Sequence, residues 1–420
     1  MQKSDWKKCK LGDVCDLIGG FAFKSKSFGD FADKVIKIAN IQPPYIDDKL
    51  EGVDLSNYNI EKLKKYLINY NDFCLAMTGA TIGKLGRYKF KLPAYLNQRV
   101  LTFRPSSEID KDFLYHYLSL DSFQGFINNH IDSETAQPNI SATSIGQFEL
   151  LLPLVEEQKR IAQILGALDD KIELLQKQNK TLEDMAKAIF KSWFVDFDVV
   201  HAKQKGLPKS DIMREYHLTD ELYDLFPSDF ENSSLGPIPL GWQVKTLGDI
   251  STCYDSKRIP LSNRERAERQ GNYPYYGATS IMDHVDDFLF DGIYLLLGED
   301  GSVVKPEGTP FLQYVFGKIW VNNHAHVLQG KAPVGTEFLY LFLSDVQIQP
   351  YVTGAVQAKL NQKNMNSIPV CMATEDFVRQ FQGIIEIYFV KIRSNLKQIQ
   401  TLTELRDALL PRLISGKIRL

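Results

Sequence analysis

Six short clusters draw on Lys, Arg, Ser, Thr, Asn, Gln, Tyr and His, four of them with Lys or Arg, along loop-like segments of this 420-residue chain. Three fall early: Lys24, Ser25 and Lys26 in FAFKSKSF; Thr78, Thr81 and Lys84 in TGATIGK; and Asn97, Gln98 and Arg99. Three fall late: Lys257, Arg258, Ser262, Arg264 and Arg266 in SKRIPLSNRER; Tyr275, Tyr276 and Thr279 in YPYYGATS; and Asn322, Asn323 and His324 in NNHAH. Such side chains suit DNA reading, because Arg and Lys bind phosphates and guanine edges while Asn and Gln match adenine edges. One charged loop alone is an ordinary solvated surface. Recurrence of the mixture in both halves favours a shared role, and Lys257 with Arg258 is the pair expected to touch DNA from the second half.

Other motifs carry less. GATIGKLG (Gly79 to Gly86) approaches a phosphate loop, but only three residues separate Gly79 from Gly83, and Leu85 stands where Ser or Thr would hold magnesium. It reads as a tight turn between strands. QPPY (Gln42 to Tyr45) resembles the Asn/Asp/Ser-Pro-Pro-aromatic loop with which amino-methyltransferases hold a flipped base, yet its first residue is wrong. No F-x-G-x-G-type loop for S-adenosylmethionine accompanies it, since Gly19-Gly20-Phe21-Ala22-Phe23 runs in reverse order. His324 and His326, on an expected strand, would point to one face, but no third metal ligand joins them. With no G-x-S-x-G elbow, H-E-x-x-H or acidic nuclease cluster, no catalytic residue, metal or resident cofactor is assigned.

The elements that must position the clusters form an internal repeat. DWKKCKLGDV (Asp5 to Val14) matches GWQVKTLGDI (Gly241 to Ile250), FLYHYLSL from Phe113 matches FLYLFLSD from Phe338, and Gln137-Pro-Asn-Ile matches Gln357-Ala-Lys-Leu. Each copy mixes short strand-like runs with Gly-rich turns and helices, an α/β or α+β composition. A long helical pattern then follows each. The first seam runs Ile161, Leu165, Leu168, Ile172, Leu175, Asn179, Leu182, Ala186, Ile189 and Trp193 in steps of four and three. At an offset of 220, the second runs Ile385, Tyr388, Ile392, Asn395, Ile399, Leu402, Arg406 and Leu409. Antiparallel pairing would let Asn179 meet Asn395, so that two polar seam positions satisfy each other. The expected organisation is a first recognition domain over 1–155, a long helix over 156–200, a linker over 201–240, a second recognition domain over 241–373 and a C-terminal long helix over 374–420. A helix over 156–194 would span roughly 58 Å, on the order of 17 base pairs.

Composition limits the alternatives. The chain has 44% hydrophobic and 24% charged residues, as an average folded protein does, and its net charge of −3 shows no global basic excess. Any DNA contact must come from local patches beside more basic partners. The five cysteines are scattered without a C-x-x-C pair, which fits a reducing cytoplasm. No apolar run approaches membrane-spanning length, so the expectation is a cytoplasmic protein without a membrane partner.

The chain resembles the specificity subunit of a type I restriction-modification system over essentially its whole length. The residues that carry the resemblance are AIFKSWFVDFDVV (Ala188 to Val200), LLPRLISGKIRL (Leu409 to Leu420), the paired W-x-x-x-x-LGD starts, GFAFKS, TGATIGK, QPNIS, LPLVEEQKRIAQIL, YPYYGAT and LLLGEDG. The resemblance implies two target recognition domains, each reading one half of a bipartite asymmetric sequence in double-stranded DNA. It implies that the long helices separate these domains and dock two modification subunits, which bind S-adenosylmethionine and methylate adenine. Restriction subunits would join the complex, and this chain would do no chemistry itself. Arg406 in the second seam and Pro411 near its end depart from the pattern, and the last turns are expected to end or kink at Pro411. The competing readings are a stand-alone DNA-binding regulator and a self-contained DNA methyltransferase or nuclease.

Overall fold

A computed structural model describes residues 6–131, 138–301, 303–354 and 358–420. Asp5, Gln137 and Gln357, three of the repeat-match positions, lie outside the described residues. The chain forms two compact units, Met1–Leu174 with Ile399–Leu420, and Leu175–Gln398. Both are α+β, with mainly antiparallel sheets. The sequence boundaries follow chain order, whereas each compact unit gathers halves of two helices that are remote in sequence.

In the first unit a six-stranded sheet has the order Cys15–Gly19, Val100–Pro105, Phe73–Ala76, Leu85–Arg87, Tyr45–Ile46 and Ile41–Gln42. A second sheet joins Glu51–Val53, Phe28–Ile36, Ala94–Leu96 and Leu67–Ile68. The body closes on itself because Lys7–Lys10 pairs antiparallel with Glu149–Leu152, just before the long helix. The second unit repeats this closure, pairing Gln243–Thr246 with Pro369–Met372. Its six-stranded sheet runs Ser251–Cys253, Ala325–Gly330, Phe290–Gly298, Leu312–Val321, Gln270–Tyr276 and Ile281–Val285.

The repeated LGD has a local cause. In each copy a closing strand turns into a one-turn helix, Leu11–Val14 or Leu247–Ile250, whose buried Leu enters the core. Asp13 accepts from the Lys10 N–H at 2.9 Å and Asp249 from the Thr246 N–H at 2.8 Å, which satisfies a backbone donor at the helix start. Trp6 and Trp242, at the heads of these motifs, are buried.

The two long helices are Val155–Phe194 and Glu375–Ile414. They run antiparallel where they meet within each unit. In the second unit Phe190 packs on Phe381 and Trp193 on Phe377, at 5.9 and 5.7 Å between ring centroids. These rings belong to the AIFKSWF segment and build a core with Trp242, Phe226 and Phe338, so this signature is a packing signature. In the first unit Ile161 and Leu165 share a core with Leu413 and Ile414 of the C-terminal signature. The seam residues Leu168, Ile172, Leu175, Leu182, Ile189, Ile385, Tyr388, Ile392, Ile399, Leu402 and Leu409 are all buried or half-buried.

The three polar seam positions have partners. Asn395 is fully buried and its amide donates to the Asn179 carbonyl at 2.8 Å. Arg406 reaches Asp169 at 3.0 Å and Asp407 at 2.8 Å, so a cation is tolerated in a mainly apolar seam. The helix continues past Pro411 to Ile414. Between the first long helix and the second body lie three short helices, Asp198–Gln204, Lys209–Glu215 and Asp220–Leu225, and a hairpin of Phe230–Ser233 with Gly236–Pro239.

Candidate nucleic-acid interface

In the first unit the three early clusters converge on one end of the six-stranded sheet. The register sets Leu101 opposite Gly19, Val100 opposite Ala76 and Leu75 opposite Leu85, so the loops after Gly19, after Ala76 and before Val100 leave the same edge. Backbone bonds tie them together. Phe21 N–H donates to Leu96 at 2.8 Å and Met77 N–H to Arg99 at 3.0 Å. Gly20 is required at this crossing, since a Cβ there would lie 2.1 Å from the Asn97 carbonyl oxygen.

Lys24, Ser25 and Lys26 are exposed on a turn whose base is an aromatic cluster. The Tyr58 hydroxyl accepts from the Lys24 N–H at 3.0 Å and shares a bond of 3.0 Å with Ser27. TGATIGK forms the turn between Phe73–Ala76 and Leu85–Arg87, with Gly79 at φ 71° and Gly83 at φ 81°. Lys84, Gln98 and Arg99 are exposed, whereas Thr81 and Asn97 are half-buried. Thr78 is a correction: its hydroxyl is buried, unavailable to a base, and has no partner among the described residues.

The late clusters are also brought together, by Asn322 N–H donating to Tyr276 at 3.1 Å and by the Trp320 indole donating to Ile259 at 2.6 Å. Lys257, Thr279, Asn323 and His324 are exposed, and His324 bonds Asp300 at 2.5 Å. Arg264 is exposed beside Glu268 at 3.0 Å, a surface pair of little energetic weight. Tyr276 is half-buried.

Four other late expectations need correction. Tyr275 is buried, and its hydroxyl accepts from the Leu261 N–H at 2.9 Å. Asn322 is buried and accepts from the His324 N–H at 2.8 Å, shaping the NNHAH turn from within. Arg258 is 11% exposed and held by Glu299 at 2.8 Å, the Ala325 carbonyl at 2.6 Å and Asp255 at 3.3 Å. Arg266 pairs with Asp283 at 3.2 Å and donates to Leu261 at 2.8 Å. Ser262, though exposed, is engaged locally, where its hydroxyl caps Asn263–Glu268 by accepting from the Glu265 N–H at 3.3 Å.

The two histidines of H-x-H do not share a face. His324 precedes the strand Ala325–Gly330, whereas His326 is buried within it. His326 bonds Asp255 at 2.5 Å through Nδ1 and the Leu360 carbonyl at 2.7 Å through Nε2. Cys253, Asp255 and His326 bring potential ligand atoms within 4.8 Å of one another. Both nitrogens of His326 and both carboxylate oxygens of Asp255 are already hydrogen-bonded within the protein. Burial works against ionisation of Asp255, yet His326, the Val327 N–H and Arg258 together hold its carboxyl below the ordinary range. Burial pushes the Cys253 thiol up to about 12, so it stays protonated. This cluster, invisible in the sequence, is an internal ion network that props the NNHAH turn.

QPPY forms the turn between Ile41–Gln42 and Tyr45–Ile46, and the Tyr45 hydroxyl donates to Glu173 of the long helix at 3.0 Å. Burial, then Glu173, raises the pKa of that hydroxyl. A further set missed from sequence is Lys62, Lys64 and Lys65, all exposed. The signal was available as a short basic run, IEKLKKY.

A sequence profile described as "Type I restriction modification DNA specificity domain" matches residues 3–184 and 239–372. The MjaIX specificity subunit of a type I restriction enzyme from Methanocaldococcus jannaschii is 25% identical, over 99% of this chain and 94% of its own length. The HindI specificity subunit from Haemophilus influenzae is also 25% identical, over 99% of this chain and all of its own. Among solved structures, the type I restriction-modification S subunit from M. genitalium superposes with a TM-score of 0.56 at 17% identity, covering 99% of this chain and 98% of that one. That likeness concerns the fold. No helix among the described residues is long and apolar enough to cross a membrane.

Proposed function

The chain belongs to the family of type I restriction-modification DNA specificity subunits, the non-catalytic recognition components of their complexes, and from that premise we propose how its parts divide the work. Each of the two bodies reads one half of a bipartite target in double-stranded DNA. The long helices hold the spacer and dock two modification subunits, which bind S-adenosylmethionine and methylate an adenine in each half-site; restriction subunits complete the assembly. The observation that carries this reading is the convergence of three unlike loops on one sheet end of the first body, with exposed Lys24, Lys26, Lys84, Gln98 and Arg99. Cations grip phosphates there while the amide is free to address a base edge.

Two further features support it. The loop sets of the two bodies differ in sequence, which fits unlike half-sites. Ile164, Leu174, Met185, Ile387, Val390 and Leu405 leave apolar side chains exposed along the long helices, as a protein-binding surface does. A modest net charge of −3 also suits a chain whose partners clamp the DNA backbone. Mapping methylated adenines across a genome, with and without this chain, tests the proposal. The expected result is one bipartite motif that disappears with the chain, and an unchanged methylation map refutes it.

A further inference from the structure

Charged residues outside the recognition clusters sit where each body meets its long helix. In the first unit, Glu173 of the helix accepts from the Tyr45 hydroxyl at 3.0 Å and lies 3.6 Å from the Lys89 ammonium. Only 15% of the Glu173 side chain and 21% of Lys89 remain exposed. Arg87, beside them, stacks 4.0 Å over Tyr115 and pairs with Asp112 at 2.5 Å. This body therefore offers a cation, Lys89, and a hydroxyl, Tyr45, to an anion on its helix, while Arg87 is already matched by Asp112.

In the second unit the signs are inverted. Arg393 on the helix donates to the Tyr314 hydroxyl at 2.6 Å and to Glu337 of the body at 3.0 Å, and it is braced by Glu386 of its own helix at 2.5 Å. Gln382 also donates to Glu337, at 3.1 Å, and that carboxylate side chain is only 4% exposed. Glu173 and Arg393 occupy equivalent positions, separated by the 220 residues that relate the two seams. Asp112 and Glu337 are likewise counterparts through the FLYHYLSL and FLYLFLSD match. In the first unit, however, the cation facing this acid comes from the body, and in the second it comes from the helix.

Ionised groups in so little water are costly to leave unpaired and costlier to face with their own sign. We propose that residues 173 and 393 are oppositely charged positioning residues, which seat each recognition body on its own helix in one orientation and so fix the spacing and order of the half-sites. The inference rests on the reading given under Proposed function.

The test uses the full chain co-expressed with its modification subunits and reads adenine methylation across a genome. Glu173→Arg sets a cation against Lys89 and is expected to lower methylation at the normal sites by about tenfold or more. Adding Lys89→Glu rebuilds the pair with reversed sign and restores those sites with their normal spacer. Arg393→Glu added to Glu173→Arg does not restore them, because that position faces a different body. Glu173→Gln removes the charge without creating repulsion; the complex still assembles, and methylated sites begin to include spacers changed by about one base pair, on the order of 3.4 Å of helix rise. A purely structural role would not move that last readout. Normal rates and one spacer length in both Glu173→Arg and Glu173→Gln would overturn the proposal, as would equal failure of Glu173→Arg with and without Lys89→Glu. If instead the unaltered chain directs no adenine methylation, it is the functional reading that fails.

Discussion

The amide pair between the long helices offers the sharpest energetic test. Asn395 is fully buried and makes one bond, to Asn179 at 2.8 Å, while the Asn179 Nδ2 and Asn395 Oδ1 atoms are buried without partners among the described residues. Asn395→Ala forfeits the bond, about 1 kcal/mol, and strands the remaining Asn179 amide, about 1–2 kcal/mol more. Asn179→Ala forfeits the same bond. The double alanine variant counts the shared loss once, so a double-mutant cycle should return a coupling of about 1–2 kcal/mol. Asn179→Leu with Asn395→Leu removes both stranded atoms and adds apolar burial worth roughly 1.5–3 kcal/mol per fully buried side chain. That variant is expected to exceed the natural chain in stability by about 2 kcal/mol, at the expense of a device that specifies register. The assay is guanidinium unfolding followed by helical circular dichroism, on the transition of the unit Leu175–Gln398. A coupling below about 0.5 kcal/mol, or a double leucine variant less stable than the natural chain, would refute the pairing argument.

Three other outcomes follow from the geometry. Arg258→Ala leaves Asp255 and Glu299 without their shared cation and should destabilise the second unit by about 3–5 kcal/mol in thermal melts; Lys257→Ala, at an exposed position, should stay within about 0.5 kcal/mol and instead lower the salt slope of DNA binding by about 1. Burial, followed by Arg87, lowers His116 to about 3 from an ordinary 6.5. Between those values the unfolded chain binds a proton that the folded chain does not, so stability falls as pH drops through this window, by at most about 1.4 kcal/mol per pH unit. His116→Leu, the residue at its repeat counterpart Leu341, should flatten that slope in pH-dependent unfolding, and an unchanged slope would contradict the assignment. Adding one heptad to both long helices should lengthen the methylated spacer by about 10 Å, roughly three base pairs, and an unchanged spacer would count against a ruler.

The architecture was legible in the sequence because its signals are periodic and local. A four-three apolar step needs only neighbouring turns of one helix, and the seam from Ile161 to Trp193 falls within the single helix Val155–Phe194. The LGD capping Asp, the TGATIGK glycines and the repeat itself are likewise written within a few residues or at a constant offset. Which polar side chain faces outward was not legible. Arg258 and Lys257 are adjacent and chemically alike, yet Arg258 is claimed by Glu299 and by the Ala325 carbonyl, far along the chain. Tyr275 and Asn322 have the composition of reading residues, but strand pairing turned Tyr275 into the core, and Asn322, just past the partner strand, is buried inside the turn it shapes. Sequence alone determined the repeat, the helical seam and the loop chemistry, since each depends on short-range spacing. Only the tertiary structure decided which cations are already neutralised and which anion or cation anchors each body to its helix, because those pairings join residues that no local pattern connects.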